Sequence, residues 1–159
     1  MSTLRALVLL ALGALSACGA SPNYIPGTQV SRSARNEAII ERLEAYRVAV
    51  ERRDAAALLL MASKSYWDDA GTTTGTDDYG RASLQRILAG RFQEAGEIRY
   101  AMKYMAIEHR GDKAFVDVLV DASFSVKDAQ GQTVRRDLRD QNQFVLEHDG
   151  ETWKFLSGM

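Results

Sequence analysis

Apolar residues recur along this chain with two different periods, and the place where the period changes divides it. From Ala34 onward Ile39, Leu43, Tyr46 and Val50 return at helical spacing, while Glu37, Glu41, Arg42, Arg47, Glu51 and Arg52 fall mostly on the other faces. That pattern predicts an amphipathic helix, with Ser33 as its cap. Asp54 is placed to cap a second, short helix over Ala55–Met61. Its Leu58, Leu59, Leu60 and Met61 make it apolar nearly all round, so burial is expected. Lys64 to Gly80 is rich in Gly, Thr and Asp and reads as a loop. A third amphipathic helix, over about Arg81–Ala95, turns Leu84, Leu88 and Phe92 inward and stops at Gly96.

Beyond Gly96 the period becomes two. Four strands are predicted, Glu97–Glu108, Lys113–Lys127, Thr133–His148 and Thr152–Leu156. Their connections, Arg110–Asp112, Asp128–Gly131 and Asp149–Gly150, carry the glycine or aspartate that tight hairpins need, so a turn accounts fully for the Arg110–Gly111–Asp112 tripeptide. Val116, Val118, Val120, Ala122, Phe124 and Val126 share one face of their strand, with Asp117 and Asp121 on the other. The apolar face must meet the helices. The expected fold class is therefore α+β, with three N-terminal helices packed in the concave face of a curled antiparallel sheet of about four strands. Arg99, Lys103, Asp117, Asp121, Arg139 and Gln141 fall on outward parities of adjacent strands. Such a ladder of charges argues for exposure, because burying it costs about what its attractions return; a monomer is favoured over a homodimer.

Ahead of Ala34 neither period holds. Met1–Arg5 supplies one positive charge, and Ala6–Leu15 contains no polar side chain, the n- and h-regions of a signal peptide. As a helix that run spans roughly 15 Å, half of a hydrocarbon core of about 30 Å, so export and removal are expected instead of a membrane span. Leu15–Ser16–Ala17–Cys18 resembles the lipobox of bacterial lipoproteins. The resemblance implies that residues 1–17 are removed and that Cys18 carries a thioether-linked diacylglycerol. Several acyl chains on one residue hold a protein durably at a membrane, which a single chain does not. Gly19 stands where an aspartate would favour inner-membrane retention, so the resemblance implies delivery to the outer membrane. Gly19–Ser33 holds both prolines and few large apolar groups, so 18–33 reads as a lipidated flexible tether and 34–159 as the folded domain.

Composition narrows the partners. A chain of 159 residues fits one domain. A net charge of −1 with scattered basic residues gives no reason to expect nucleic acid. The single cysteine excludes an internal disulfide and any multi-cysteine metal site, and the two histidines, His109 and His148, fall beside turns where surface placement is expected. No cofactor is called for.

Over Ala34–Met159 the chain resembles the nuclear transport factor 2-like, or SnoaL-like, superfamily of cone-shaped, cystatin-like rolls. The resemblance rests on the long helix running into Glu51–Leu58, on Tyr66–Trp67–Asp68–Asp69–Ala70, and on the ending Gly150–Met159. After Asp69 the sequence departs from the usual pattern, with Gly71–Asp78 in place of a short apolar strand and a proline. Enzymes of the superfamily, ketosteroid isomerase among them, pair a carboxylate base with a tyrosine or protonated acid inside the cone. The resemblance makes Tyr46, Asp68 and Asp140 the candidate catalytic residues, with Trp67 and Asn142 joining Tyr46 and Asp140 around a ligand pocket. Asp140 and Asn142 share strand parity with Phe144 and Leu146. The alternative reading makes Tyr46 a packed core aromatic, Asp68 a helix or turn cap and Asp140 half of an ion pair. Asp68, Asp69, Thr72, Thr74, Asp77 and Asp78 gather oxygen donors of the kind calcium prefers, with Asp69, Asp77 and Asp78 the candidate ligands. Their spacing is not that of an EF-hand and its closing glutamate is missing, so a solvated loop with a capping aspartate before the third helix explains them better.

Three functions follow from these observations. One is a membrane-anchored envelope lipoprotein that binds a small apolar ligand or another envelope protein without catalysis, favoured by the anchor and the incomplete catalytic set. The second is an isomerase or cyclase using a pocket carboxylate, and the third a calcium-stabilised adhesion or scaffold module. The anchor itself is directly measurable. Intact-mass analysis of material from the native host should show an acylated Cys18 at the N-terminus; a bare thiol, or residues 1–17 still attached, would contradict it.

Overall fold

The Ser33 side chain accepts a hydrogen bond from the Asn36 N–H at 3.1 Å and so starts helix α1, Ala34–Glu51. Asp54 does the same for α2, Ala55–Met61, accepting from the Ala57 N–H at 2.9 Å. Both caps stand where the sequence places them. In this computed structural model, which describes residues 23–70 and 75–159, the remaining elements are β1 (Trp67–Asp68), β2 (Tyr79–Gly80), α3 (Arg81–Glu94), β3 (Ile98–Arg110), β4 (Lys113–Lys127), β5 (Thr133–His148) and β6 (Trp153–Ser157). β1 and β2 form a small antiparallel pair inside the stretch read as loop. Such two-residue strands are too short to show a period.

The other four strands make an antiparallel meander in the order β3–β4–β5–β6. The expected alternation holds: Val116, Val118, Val120 and Ala122 of β4 are buried and Asp117 and Asp121 are exposed. β3 carries a bulge between Tyr104 and Ala106. The three helices cover the concave face, giving the α+β roll.

α1 is fixed to that face by rings and by charge. Tyr46 meets Phe144 and Phe155 with ring centroids 5.2 Å away in each case, and Phe144 meets Phe155 at 5.6 Å. Phe144 and Phe155 are fully buried, so the deep part of the cone is filled with side chains. Alongside, Arg47 bridges Glu44 and Glu51 at 2.7 Å each. Glu44 also accepts from the Tyr104 hydroxyl, and Glu51 accepts from the Tyr100 N–H at 3.0 Å, so both carboxylates tie the helix to β3. Burial pushes the Glu44 carboxyl up, but the Tyr104 hydroxyl and the Arg47 guanidinium outweigh it and hold the group below the ordinary glutamate value.

Three expectations are corrected. The tether assigned to 18–33 is not free from Asn23 onward: Tyr24 bridges Ser31, Val30 is buried, and the Gln29 N–H donates to the Tyr104 carbonyl at 3.0 Å. Val30 and Ile25 supply the apolar anchor that the polar composition obscured. In α2 only Leu58 is buried, while Leu60 is 72% exposed. A two-turn helix lying on a surface has an outer side whatever its composition, and an isolated exposed leucine is ordinary. His109 is half-buried, not a surface residue; its Nε2 lies 2.7 Å from Asn36 Oδ1 and its ring faces Trp153. Burial, then the neighbouring Arg35, hold its pKa below the usual histidine value.

Candidate functional site

The residues singled out in the sequence do not converge. Asp68, buried on β1, accepts the Tyr66 hydroxyl at 2.8 Å and the Gly158 N–H at 2.7 Å on one oxygen, and the Ala70 N–H at 2.9 Å on the other. The Tyr66 hydroxyl in turn accepts from the Met159 N–H at 3.2 Å, and the Tyr79 hydroxyl donates to the Met159 carbonyl at 3.1 Å. Burial and then the Asp68 carboxylate push the Tyr66 hydroxyl well up, so it stays protonated and keeps donating. Asn142 completes the clamp, its side-chain amide donating to the Gly158 carbonyl at 2.9 Å. Gly158 adopts φ of +93°, and a Cβ there would sit 2.6 Å from the Gln143 carbonyl oxygen, so only glycine lets the chain pass. Asp68 and Asn142 therefore hold residues 158–159 against the sheet.

The other candidates are apart from it. Tyr46 is buried in the aromatic filling, with Tyr100 at 6.0 Å as a further ring neighbour. Its hydroxyl is pushed well up by burial and by the adjoining Tyr100. Asp140 is exposed on β5, opposite Val120, and its carboxylate accepts the Gln141 N–H at 2.8 Å. Asp140 shares the concave side with Val120, which is buried, but β5 is an edge strand at this point and leaves Asp140 exposed. Trp67 is 58% exposed and lies over Gly80. Of the calcium candidates, Thr72 and Thr74 lie outside the described residues, and Asp69 and Asp77 are engaged within the protein. Asp78 is half-buried. Among the described residues no three His, Cys, Asp or Glu side chains come together as a metal site.

What the fold does build is an apolar groove of about 310 Å³ at the open end of the cone. Val50 at the end of α1, Phe92 and Ala95 from the end of α3, and Ile98, Tyr100, Phe124 and Leu138 from the sheet wall it, with Arg91 and Glu94 at its rim. It exists because β4 and β5 run past the helices: Phe124 and Val126 continue the inward parity of Val116–Ala122 but are only half-buried, and Leu138 is 46% exposed. Tyr100 links the groove to the filled interior through Tyr46. Burial raises the pKa of Tyr100, opposed by the Tyr46 hydroxyl, so the Tyr100 phenol in the groove wall is neutral over the physiological range. The groove thus suits an apolar molecule. Sequence reasoning named Phe92 and Phe124 as core; the signal missed was that β5 is polar opposite them, from Arg135 to Asn142, and so has no helix to bury against.

No family model and no curated protein sequence matches the chain. Solved structures do. It is similar to a ketosteroid isomerase-like protein from Erwinia carotovora atroseptica, with a TM-score of 0.62, 20% identity and coverage of 79% of this chain and 94% of that one. A candidate scytalone dehydratase from Novosphingobium aromaticivorans gives 0.67, 14%, 77% and 80% on the same measures. A candidate dehydratase of the NTF2-like family from Streptomyces avermitilis gives 0.60, 16%, 77% and 91%. The chain therefore has the NTF2-like fold, three helices against a curled antiparallel sheet. At these identities the likeness is one of fold, and function rests on the site.

The two carboxylates can be told apart by stability. Asp68→Ala leaves a buried hydroxyl and a buried N–H unpaired and should cost about 2–4 kcal/mol of unfolding free energy in denaturant melts, while Asp140→Ala should stay within about 0.5 kcal/mol. Equal effects would contradict these assignments.

Proposed function

We propose that the protein is an exported lipoprotein, anchored through acylated Cys18 in the bacterial envelope, outer membrane by preference, whose NTF2-like domain binds a small apolar ligand in the groove at the open end of the cone and does not catalyse a reaction. The observation that carries this reading is the division of labour among side chains. The groove is walled by aliphatic and aromatic groups. The two carboxylates offered as a base are not in its lining, Asp68 committed to the Gly158 clamp and Asp140 on an exposed strand, and the one carboxylate at the groove, Glu94, stands at its rim. A base must lie within hydrogen-bond reach of the proton it takes, and neither is placed for that. Docking of the chain from Asn23 onward adds support for a role near the membrane. From Cys18 to Asn23 an extended chain reaches at most about 18 Å, so an acylated Cys18 would hold the domain close to the bilayer surface.

The test uses 1-anilinonaphthalene-8-sulfonate as an apolar fluorescent probe, titrated into the full chain. Burying a phenylalanine-sized contact contributes about 1.5–3 kcal/mol, so Phe92→Ser should weaken probe binding by about tenfold or more. Leu60→Ser, at an exposed leucine on α2, should leave it unchanged. Equal binding by both variants, or no saturable binding by the parent chain, would overturn the groove as the site.

A further inference from the structure

β5 has two neighbours along only part of its length. Over its whole length it pairs with β4, from Lys127↔Thr133 to Lys113↔Glu147. On its other side β6 covers only Val145–His148, and Gly158 comes in beside Gln143. Among the described residues no strand pairs with the outer edge from Thr133 to Gln141. The backbone groups facing outward there are those of the odd-numbered residues: the His148 N–H turns inward to the Asp112 carbonyl, whereas the Gln141 N–H finds only the carboxylate of Asp140. Open strand edges of this length are templates for further strand pairing.

The sequence on this edge is complementary to itself. Read antiparallel about Leu138, Asp137 faces Arg139, Arg136 faces Asp140 and Arg135 faces Gln141, while Leu138 faces its own copy. Arg135–Gln141, the span symmetric about Leu138, lies wholly within the edge left free by β6 and Gly158, so the register that matches the charges also fits the open edge. These two coincidences are independent, since the first comes from side chains and the second from where β6 and Gly158 stop. In that register Asp137 and Arg139 exchange backbone hydrogen bonds with their counterparts, and Leu138 occupies a pair without them, where opposed Cα atoms approach to about 4.5 Å. Arg139, already 2.7 Å from Asp121 on β4, would gain the second copy's Asp137 on its other side. The Asp140 carboxylate, which now occupies the Gln141 N–H, would turn to Arg136 of the second copy and release that N–H to a carbonyl.

We propose that two copies of this chain associate through the outer edges of β5, antiparallel and centred on Leu138, extending the sheet across a two-fold axis. The surface is distinct from the charged convex face, which stays exposed. Residues directly opposite in an antiparallel pair point to the same side, so the two concave faces open in the same direction. The exposed Leu138 side chains meet at the boundary between the two grooves and cover each other. The contact is isologous and closes on itself, which ends strand addition at two.

Because Leu138 sits on the axis, one substitution tests the register. In the full chain carrying Cys18→Ser, purified in detergent, Leu138→Cys should form a disulfide-linked dimer under mild oxidation, since the opposed Cα separation lies within disulfide range. Arg136→Cys alone should not, but mixed with Asp140→Cys it should. Added to Leu138→Cys, Arg136→Asp sets like charges opposite each other and should lower the cross-linked yield severalfold. The further change Asp140→Arg should restore it. Cross-linking at Leu138 no greater than at an exposed control, Leu60→Cys, would overturn the proposal, as would equal yields for the single and double charge variants or a product with a different protein only. Probe binding in the groove is read separately through Phe92, so failure of either idea leaves the other standing.

Discussion

The arrangement depends on one contact, the seating of Tyr46 between Phe144 and Phe155. A cone of strands closed by helices can be left hollow or filled, and here three rings at 5.2–5.6 Å fill it. Ring pairs of this kind contribute about 0.5–1.5 kcal/mol each beyond the area they bury, and they set the distance between α1 and the sheet. With the helix at that distance, Glu44 and Glu51 reach β3, and the Arg47 bridge between them lies along the same face. The deep part of the cone is thereby filled with side chains. What is left open is the end where β4 and β5 outrun the helices.

The carboxylates follow the same logic. Asp68 stands at the closed side, where the chain returns from β6, and its two oxygens serve three donors. A carboxylate so fully engaged is a structural acceptor, whose contacts hold residues 158–159 in place. Asp140 is exposed on the free edge of the sheet, beside a buried Val120.

Much of the fold was legible because the period of the sequence is clean. The boundaries of β4 and β5, the caps at Ser33 and Asp54 and the inward parity of Val116–Ala122 all follow from residue spacing, since each depends on local geometry alone. The site was not legible in the same way. Parity correctly assigns Asp140 to the concave face, yet parity does not say that β5 is an edge strand there, and that decides burial. Asp68 has a role that only tertiary contact reveals, because its partners Gly158 and Tyr66 are brought together by β6 and β1. Docking of Asn23–Ser33 was hidden for a related reason: Ile25 and Val30 are two apolar residues in a polar stretch, and only the surface they meet makes them an anchor.

The claim on which the rest turns is that the interior is full and the groove beside it is the binding surface. A crystal structure of the full chain with 1-anilinonaphthalene-8-sulfonate bound tests it most directly. The account places the probe between Phe92 and Leu138, with Tyr46, Phe144 and Phe155 in mutual contact as they stand now. A probe seated between Tyr46 and Phe144, with α1 displaced from the sheet, would contradict it.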